Sequence, residues 1–123
     1  MSNYTKQERI DLLNTIQKQL LYSKHPSIPM SWGIHNFIGT EYLNMVTLKF
    51  NVQGFLFEGS VLISYNEGLD LYEIRFVKDD KVISTVVEVY ADMMVDVIDD
   101  FVETGKMTET QYRERVDKFL DSL

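Results

Sequence analysis

Residues 45–64, MVTLKFNVQGFLFEGSVLIS, carry the reading that decides the fold. Val46, Leu48, Phe50 and Val52 alternate with Thr47, Lys49 and Asn51, and after Gln53-Gly54 the pattern resumes with Phe55, Phe57, Val61 and Ile63. A buried helix face would space its apolar residues three and four apart; a period of two belongs to a strand with one face covered. Gln53-Gly54 reads as a two-residue hairpin loop between the two runs. It sets Val52 opposite Phe55, Phe50 opposite Phe57 and Val46 opposite Val61, all on one side.

The pattern continues in both directions. Glu67-Gly68 as the next loop sets Val61 opposite Ile74 and Ile63 opposite Tyr72, and Asp79-Asp80 as the third sets Phe76 opposite Ile83 and Tyr72 opposite Val87. Upstream, Met30, Trp32 and Ile34 alternate with small or polar residues and supply a first strand. A slip of one residue would send an apolar set to the wrong face, so the agreement of all three loops predicts a five-stranded antiparallel meander. Gly59 falls on the packed face, between Leu48 and Phe76.

The other face pairs Lys49 with Glu58, Thr47 with Ser60 and Arg75 with Ser84, which suits solvent. It also receives Met45, Leu56, Leu62, Leu71, Val77, Val82 and Val86, more apolar material than a wet face carries. Met45, Leu62, Leu71 and Val82 are therefore a candidate sheet-face interface, and a symmetric homodimer is the commonest way to cover one.

Helices flank the meander. Thr5-Lys-Gln-Glu8 has the capping-box pattern, in which a hydroxyl and a carboxylate satisfy free backbone donors at a helix start. Ile10, Leu12, Leu13, Ile16 and Leu20 then predict a helix to about Tyr22, ended by His25-Pro-Ser-Ile-Pro29 because proline disfavours helix in the residue before it. Val89, Met93, Val97 and Phe101, flanked by Met94, Ile98 and Val102, predict a second helix with Gly105 as its cap. Thr108-Glu-Thr-Gln111 repeats the capping box and opens a third, with Tyr112, Val116, Phe119, Leu120 and Leu123 on its face. The order is that of a single α+β domain over residues 1–123, with the N-terminal helix and the two C-terminal helices packed on one sheet face.

The chain has no cysteine, hence no disulfide framework, thiolate zinc site or cysteine nucleophile. Its start, MSNYTKQERIDLL, lacks the basic and apolar regions of a secretory signal, and no apolar stretch approaches the ~20 residues of a membrane helix. The expectation is a cytoplasmic protein with no membrane partner. The net charge of −7 is unevenly placed: six acids and no lysine or arginine lie between Lys81 and Lys106. Such a surface repels phosphate backbones, so no nucleic-acid partner is expected.

Within that run, Asp92, Asp96, Asp99 and Glu103 share one face of the predicted helix. A metal site would need several of these oxygens to converge at about 2.3–2.6 Å for calcium, whereas neighbours on one helix diverge. They read as a solvated or partner-docking face rather than a metal centre. Gly54-Phe-Leu-Phe-Glu-Gly59-Ser60 has the glycine spacing of a phosphate loop but lacks its lysine and lies inside a hairpin. His25 and His35 have no nucleophile arranged beside them, and Trp32 falls at a core position. No catalytic residue or cofactor is expected. The reading that results is a small acidic, non-enzymatic protein-interaction or accessory domain, docking on an unidentified protein or on itself. The alternative is a small-ligand-binding or enzymatic domain with an aromatic pocket between sheet and helices, lined by Trp32, Phe50, Phe57, Tyr65, Tyr72 and Tyr90.

Overall fold

The structure, a computed structural model, describes residues 4–22 and 27–104. Helix α1 (Lys6–Tyr22) opens with the reciprocal cap: the Glu8 amide donates to Thr5 Oγ1 at 3.1 Å and the Thr5 amide to Glu8 Oε1 at 3.0 Å. A short helical turn, α2 (Ser27–Ser31), leads into five strands: β1 (His35–Tyr42), β2 (Met45–Gln53), β3 (Glu58–Asn66), β4 (Leu71–Lys78) and β5 (Lys81–Val89). They form one open antiparallel sheet in the order β1-β2-β3-β4-β5. The described residues end with a 3₁₀ turn (Ala91–Met93), helix α3 (Met94–Asp99) and a π turn (Asp100–Thr104). The last helix expected, from Thr108 onward, and the Gly105 cap lie outside the described residues.

Ile16 and Leu20 of α1, Trp32, and Met94, Val95, Ile98 and Val102 of the C-terminal segment all join one buried cluster with Leu48, Phe50, Val52, Val61, Ile63, Ile74 and Phe76. Helices on one sheet face, with the apolar alternation of the central strands beneath them, are thus the architecture of the described chain. Phe76 stacks on Phe101 at 3.9 Å between ring centroids, and Phe57 meets both rings edge-on, 5.8 Å from Phe76 and 5.1 Å from Phe101.

The register departs from expectation, and the reasons differ from loop to loop. Between β2 and β3, Val52 stands opposite Gly59, Phe50 opposite Val61 and Leu48 opposite Ile63, a slip of four residues from the tight-turn register. Residues 54–57 form a wider loop, closed by the Gly54 amide on the Phe57 carbonyl at 2.9 Å and anchored by the Leu56 amide on the Val102 carbonyl at 2.7 Å. Gly54 serves this anchorage: a Cβ there would meet the Val102 carbonyl oxygen at 2.6 Å. Between β3 and β4 a four-residue loop, with Asp70 at φ +54°, replaces the two-residue turn. Val61 consequently faces Phe76, and Ile63 faces Ile74. Both slips are even, so every side chain that remains in β2, β3 or β4 keeps its face.

The third turn is the expected one. Asp79 and Asp80 take φ +52° and +63°, and Lys78 pairs with Lys81 and Val77 with Val82. Two irregularities then shift β5, so Phe76 faces Ser84 rather than Ile83, and Tyr72 faces Val89 rather than Val87. An extra residue in a strand breaks its alternation. Ile83 and Val87, placed in the core by the simple register, are 53% and 56% exposed, while Val86 pairs with Ile74 and packs against the core.

The first strand is also displaced. Met30, Trp32 and Ile34 do not form it; the Trp32 amide closes onto the Pro29 carbonyl at 3.1 Å and the Gly33 amide onto Met30 at 3.3 Å. A proline in the first turn of a helix forfeits no hydrogen bond, so Pro29 does not exclude helix there. Met30 points outward and Trp32 is fully buried, whereas in a strand these two residues, two apart, would share one face.

Candidate functional site

The acidic run does not lie on one face. It spans a 3₁₀ turn, an α turn and a π turn, whose differing residues per turn rotate the four carboxylates apart. Asp92 and Asp96 are exposed, whereas Asp99 is half-buried and accepts the Trp32 indole N–H at 2.9 Å. Glu103 is buried, with its carboxylate on the Phe55 amide; burial first, then the charge of Asp99, pushes it above the usual carboxylate range despite that hydrogen bond. Glu88 and Asp100 are exposed instead. Among the described residues, no group of three or more His, Asp or Glu side chains comes together in a way that could hold a metal ion.

The sheet face away from the helices carries its own polar layer. Thr47 stands opposite Ser64 rather than Ser60, their hydroxyls 2.7 Å apart, and both residues are fully buried. Arg75 Nη2 donates to Glu73 Oε1 at 2.7 Å, Asn66 Nδ2 donates to Glu73 Oε2 at 3.0 Å, and the guanidinium lies 4.7 Å from the centre of the Tyr42 ring. Burial pushes the Glu73 carboxyl up, but the hydrogen bonds from Arg75 and Asn66 outweigh it and hold it below the ordinary range. Of the candidate interface residues, Met45 and Leu71 are half-buried, Leu62 is only 7% exposed and Val82 is exposed. Leu56 sits in the loop anchored to Val102, off the strands.

Lys49 stands opposite Leu62 and Glu58 opposite Gln53, so the expected cross-strand pair does not form as a direct pair. Both line an open hollow of about 450 Å³ with Ser60, Val77 and Lys78; a neighbouring hollow of about 190 Å³ includes His35 and Asn51. Ser60 donates to Asn51 Oδ1 at 2.9 Å, and His35 Nδ1 lies 2.7 Å from the Gly33 carbonyl oxygen. His25 lies outside the described residues.

The aromatic residues named for a pocket mostly fill the core. Trp32 and Phe50 have no exposed surface, and Phe57 and Tyr72 are buried. Tyr72 donates to Gln19 at 2.6 Å; Tyr65 donates to Asp70 at 2.5 Å, a bond that holds its phenol in the protonated form and pushes it up to about 12. Tyr90 is exposed.

The alternation pattern places Val82 on a candidate interface but misses the rest of one exposed apolar set. Val82, Ile83, Val87, Tyr90 and Met93, five large apolar side chains within twelve residues, are 44–58% exposed. The signal lies in the β-branched richness of β5, interrupted only by Ser84 and Glu88 after Lys81, but a strict period assigns half of it to the core. No described helix is long and apolar enough to cross a membrane. No protein-family model, curated protein or solved structure matches this chain.

Proposed function

We propose that this chain is a non-enzymatic protein-interaction domain that docks through β5 and the turn that follows it. The observation that carries the reading is the apolar stretch Val82–Met93, which lies beside exposed Glu88, Asp92 and Asp96. Scattered apolar side chains on a surface need no explanation, but a concentration of them rimmed by charge is the composition of an interface. Tyrosine and methionine are enriched at such surfaces, where a large, adaptable side chain contributes most.

Position-dependent cross-linking tests this reading. A photo-reactive residue in place of Met93 should give a discrete, saturable adduct in the cells that make the protein, and the same residue in place of Lys18 on α1 should not. Equal adducts from both positions, or none from position 93, would remove the reading.

A further inference from the structure

We infer a second surface, one that does not rest on the docking of β5: the free edge of β1 pairs with the same edge of a second copy of this chain. The sheet is open, so among the described residues β1 and β5 each leave one side of their backbone unpaired. The two edges differ. β5 is protected, because its ladder shifts twice, Glu88 takes φ +57° and Lys81 opens the strand. β1 shifts once, between His35 and Ile38, and then keeps a regular register from Ile38 to Tyr42 with no lysine or proline. Every residue from His35 to Glu41 is exposed. A regular, exposed edge of this kind is a template for another strand.

The register decides which backbone groups are on offer. Leu43 and Asn44, at φ +49° and +64°, form a two-residue hairpin loop, so Tyr42 and Met45 bond each other across it. Bonded pairs alternate with unbonded ones in an antiparallel ladder. Thr40 and Ile38 therefore also direct their backbone groups to β2, and the amides and carbonyls of Gly39 and Glu41 point out from the sheet. A second copy, antiparallel about a twofold axis, must pair these outward positions. An axis at Glu41 sets two carboxylates against each other, and an axis at Gly39 requires Phe37, which lies in the irregular stretch. An axis at Thr40 avoids both. Gly39 of each copy then exchanges backbone bonds with Glu41 of the other, Thr40 meets its own equivalent, and Ile38 meets Tyr42 as an apolar pair.

Charge favours this occupant. Glu41 is the only formal charge from Ile38 to Tyr42, and Arg9 of its own chain holds it at 2.7 Å. Ile38, 53% exposed, shares with Thr40 and Tyr42 the sheet face on which Tyr42 meets Arg75. On the helix side an open hollow of about 270 Å³ between Arg9, Leu13, Gly39, Thr40 and Glu41 leaves space beside the edge.

Sedimentation of the full chain at tens of micromolar should give the mass of two chains. Thr40→Lys sets two ammonium groups opposite each other on the axis and should weaken association about tenfold or more, while Thr40→Ser should leave it unchanged. Thr40 is exposed, so both variants should keep the parent's circular dichroism spectrum. The chain has no cysteine, and an unbonded antiparallel pair stands about 4.5 Å apart at Cα, within disulfide reach. Thr40→Cys should therefore form a covalent dimer in glutathione disulfide under conditions where Lys18→Cys does not. Dimers indifferent to Thr40→Lys, or equal cross-linking at positions 40 and 18, overturn the inference. So does a single-chain mass at millimolar concentration, whether the edge stays bare or takes an extended peptide of another protein.

Discussion

Strands β2 to β4 and strand β5 carry similar apolar patterns and meet different fates. Phe50, Val61, Ile63, Ile74 and Phe76 have no exposed surface, whereas Val82, Ile83 and Val87 are 44–56% exposed. The difference lies in what stands above them. The central strands lie under α1, Trp32 and the C-terminal helical segment, which join them in one buried cluster. β5 is the last strand of an open sheet, and only Val86 and Val89 reach that cluster. Alternation therefore reports the capacity of a strand to be buried, and the helix layer decides whether the capacity is used.

Truncation should break the comparison most sharply. Phe50→Ala removes a fully buried ring and should cost about 3–5 kcal/mol, while Ile83→Ala in β5 should stay within roughly 0.5 kcal/mol of the parent. Chemical denaturation of both variants measures the contrast. Similar losses would mean that β5 is covered in solution.

Gly59 sharpens it within one strand. A Cβ there would meet the Val77 carbonyl oxygen at 2.5 Å and the Phe57 ring at 2.6 Å. Gly59→Val should cost about 1–3 kcal/mol through overpacking, and Ser60→Val, on the opposite face, less. The neighbours are Phe57 and Val77 rather than Leu48 and Phe76, because the β2–β3 register is slipped by four and the β3–β4 register by two. Thermal melts that rank the two variants the other way would reverse the faces.

The acidic segment repeats the contrast with charge. Asp92 is exposed, and Glu103 is buried with its carboxyl raised. A carboxyl whose folded pKa exceeds its unfolded value, ordinarily about 4.3, binds more protons in the native state. Its contribution is most favourable below that unfolded value and is lost as pH rises through the folded one. Glu103→Gln keeps an acceptor for the Phe55 amide and carries no charge. Its melting temperature should exceed the parent's at pH 7, and the gap should narrow on acidification toward about pH 4. Asp92→Asn, on an exposed carboxylate, should show a smaller gap at pH 7. Parallel curves for Glu103→Gln and the parent would place Glu103 in solvent.

Leu62 bears on the homodimer first considered. With 7% of its surface exposed, Leu62→Glu would bury a charge within the chain and should unfold it, so that substitution cannot report on association. Val82 and Val87, both exposed, are the informative positions for light scattering of the intact chain.

Much of the architecture is local, and the sequence determined it. The reciprocal Thr5–Glu8 cap needs only residues three apart, and the Asp79-Asp80 turn needs two residues that tolerate positive φ. The faces of β2, β3 and β4 follow from a period of two, which survives any even slip. Tertiary structure decided whatever depends on a distant partner. Gly54 answers to Val102, 48 residues away, so a loop that looked like a turn widened and shifted the register by four. Asp99 left the acidic face for the indole of Trp32, and Glu103 for the Phe55 amide. Among the described residues, the exposure of β5 depends on how far α1 and α3 reach over the sheet rather than on the residues of β5.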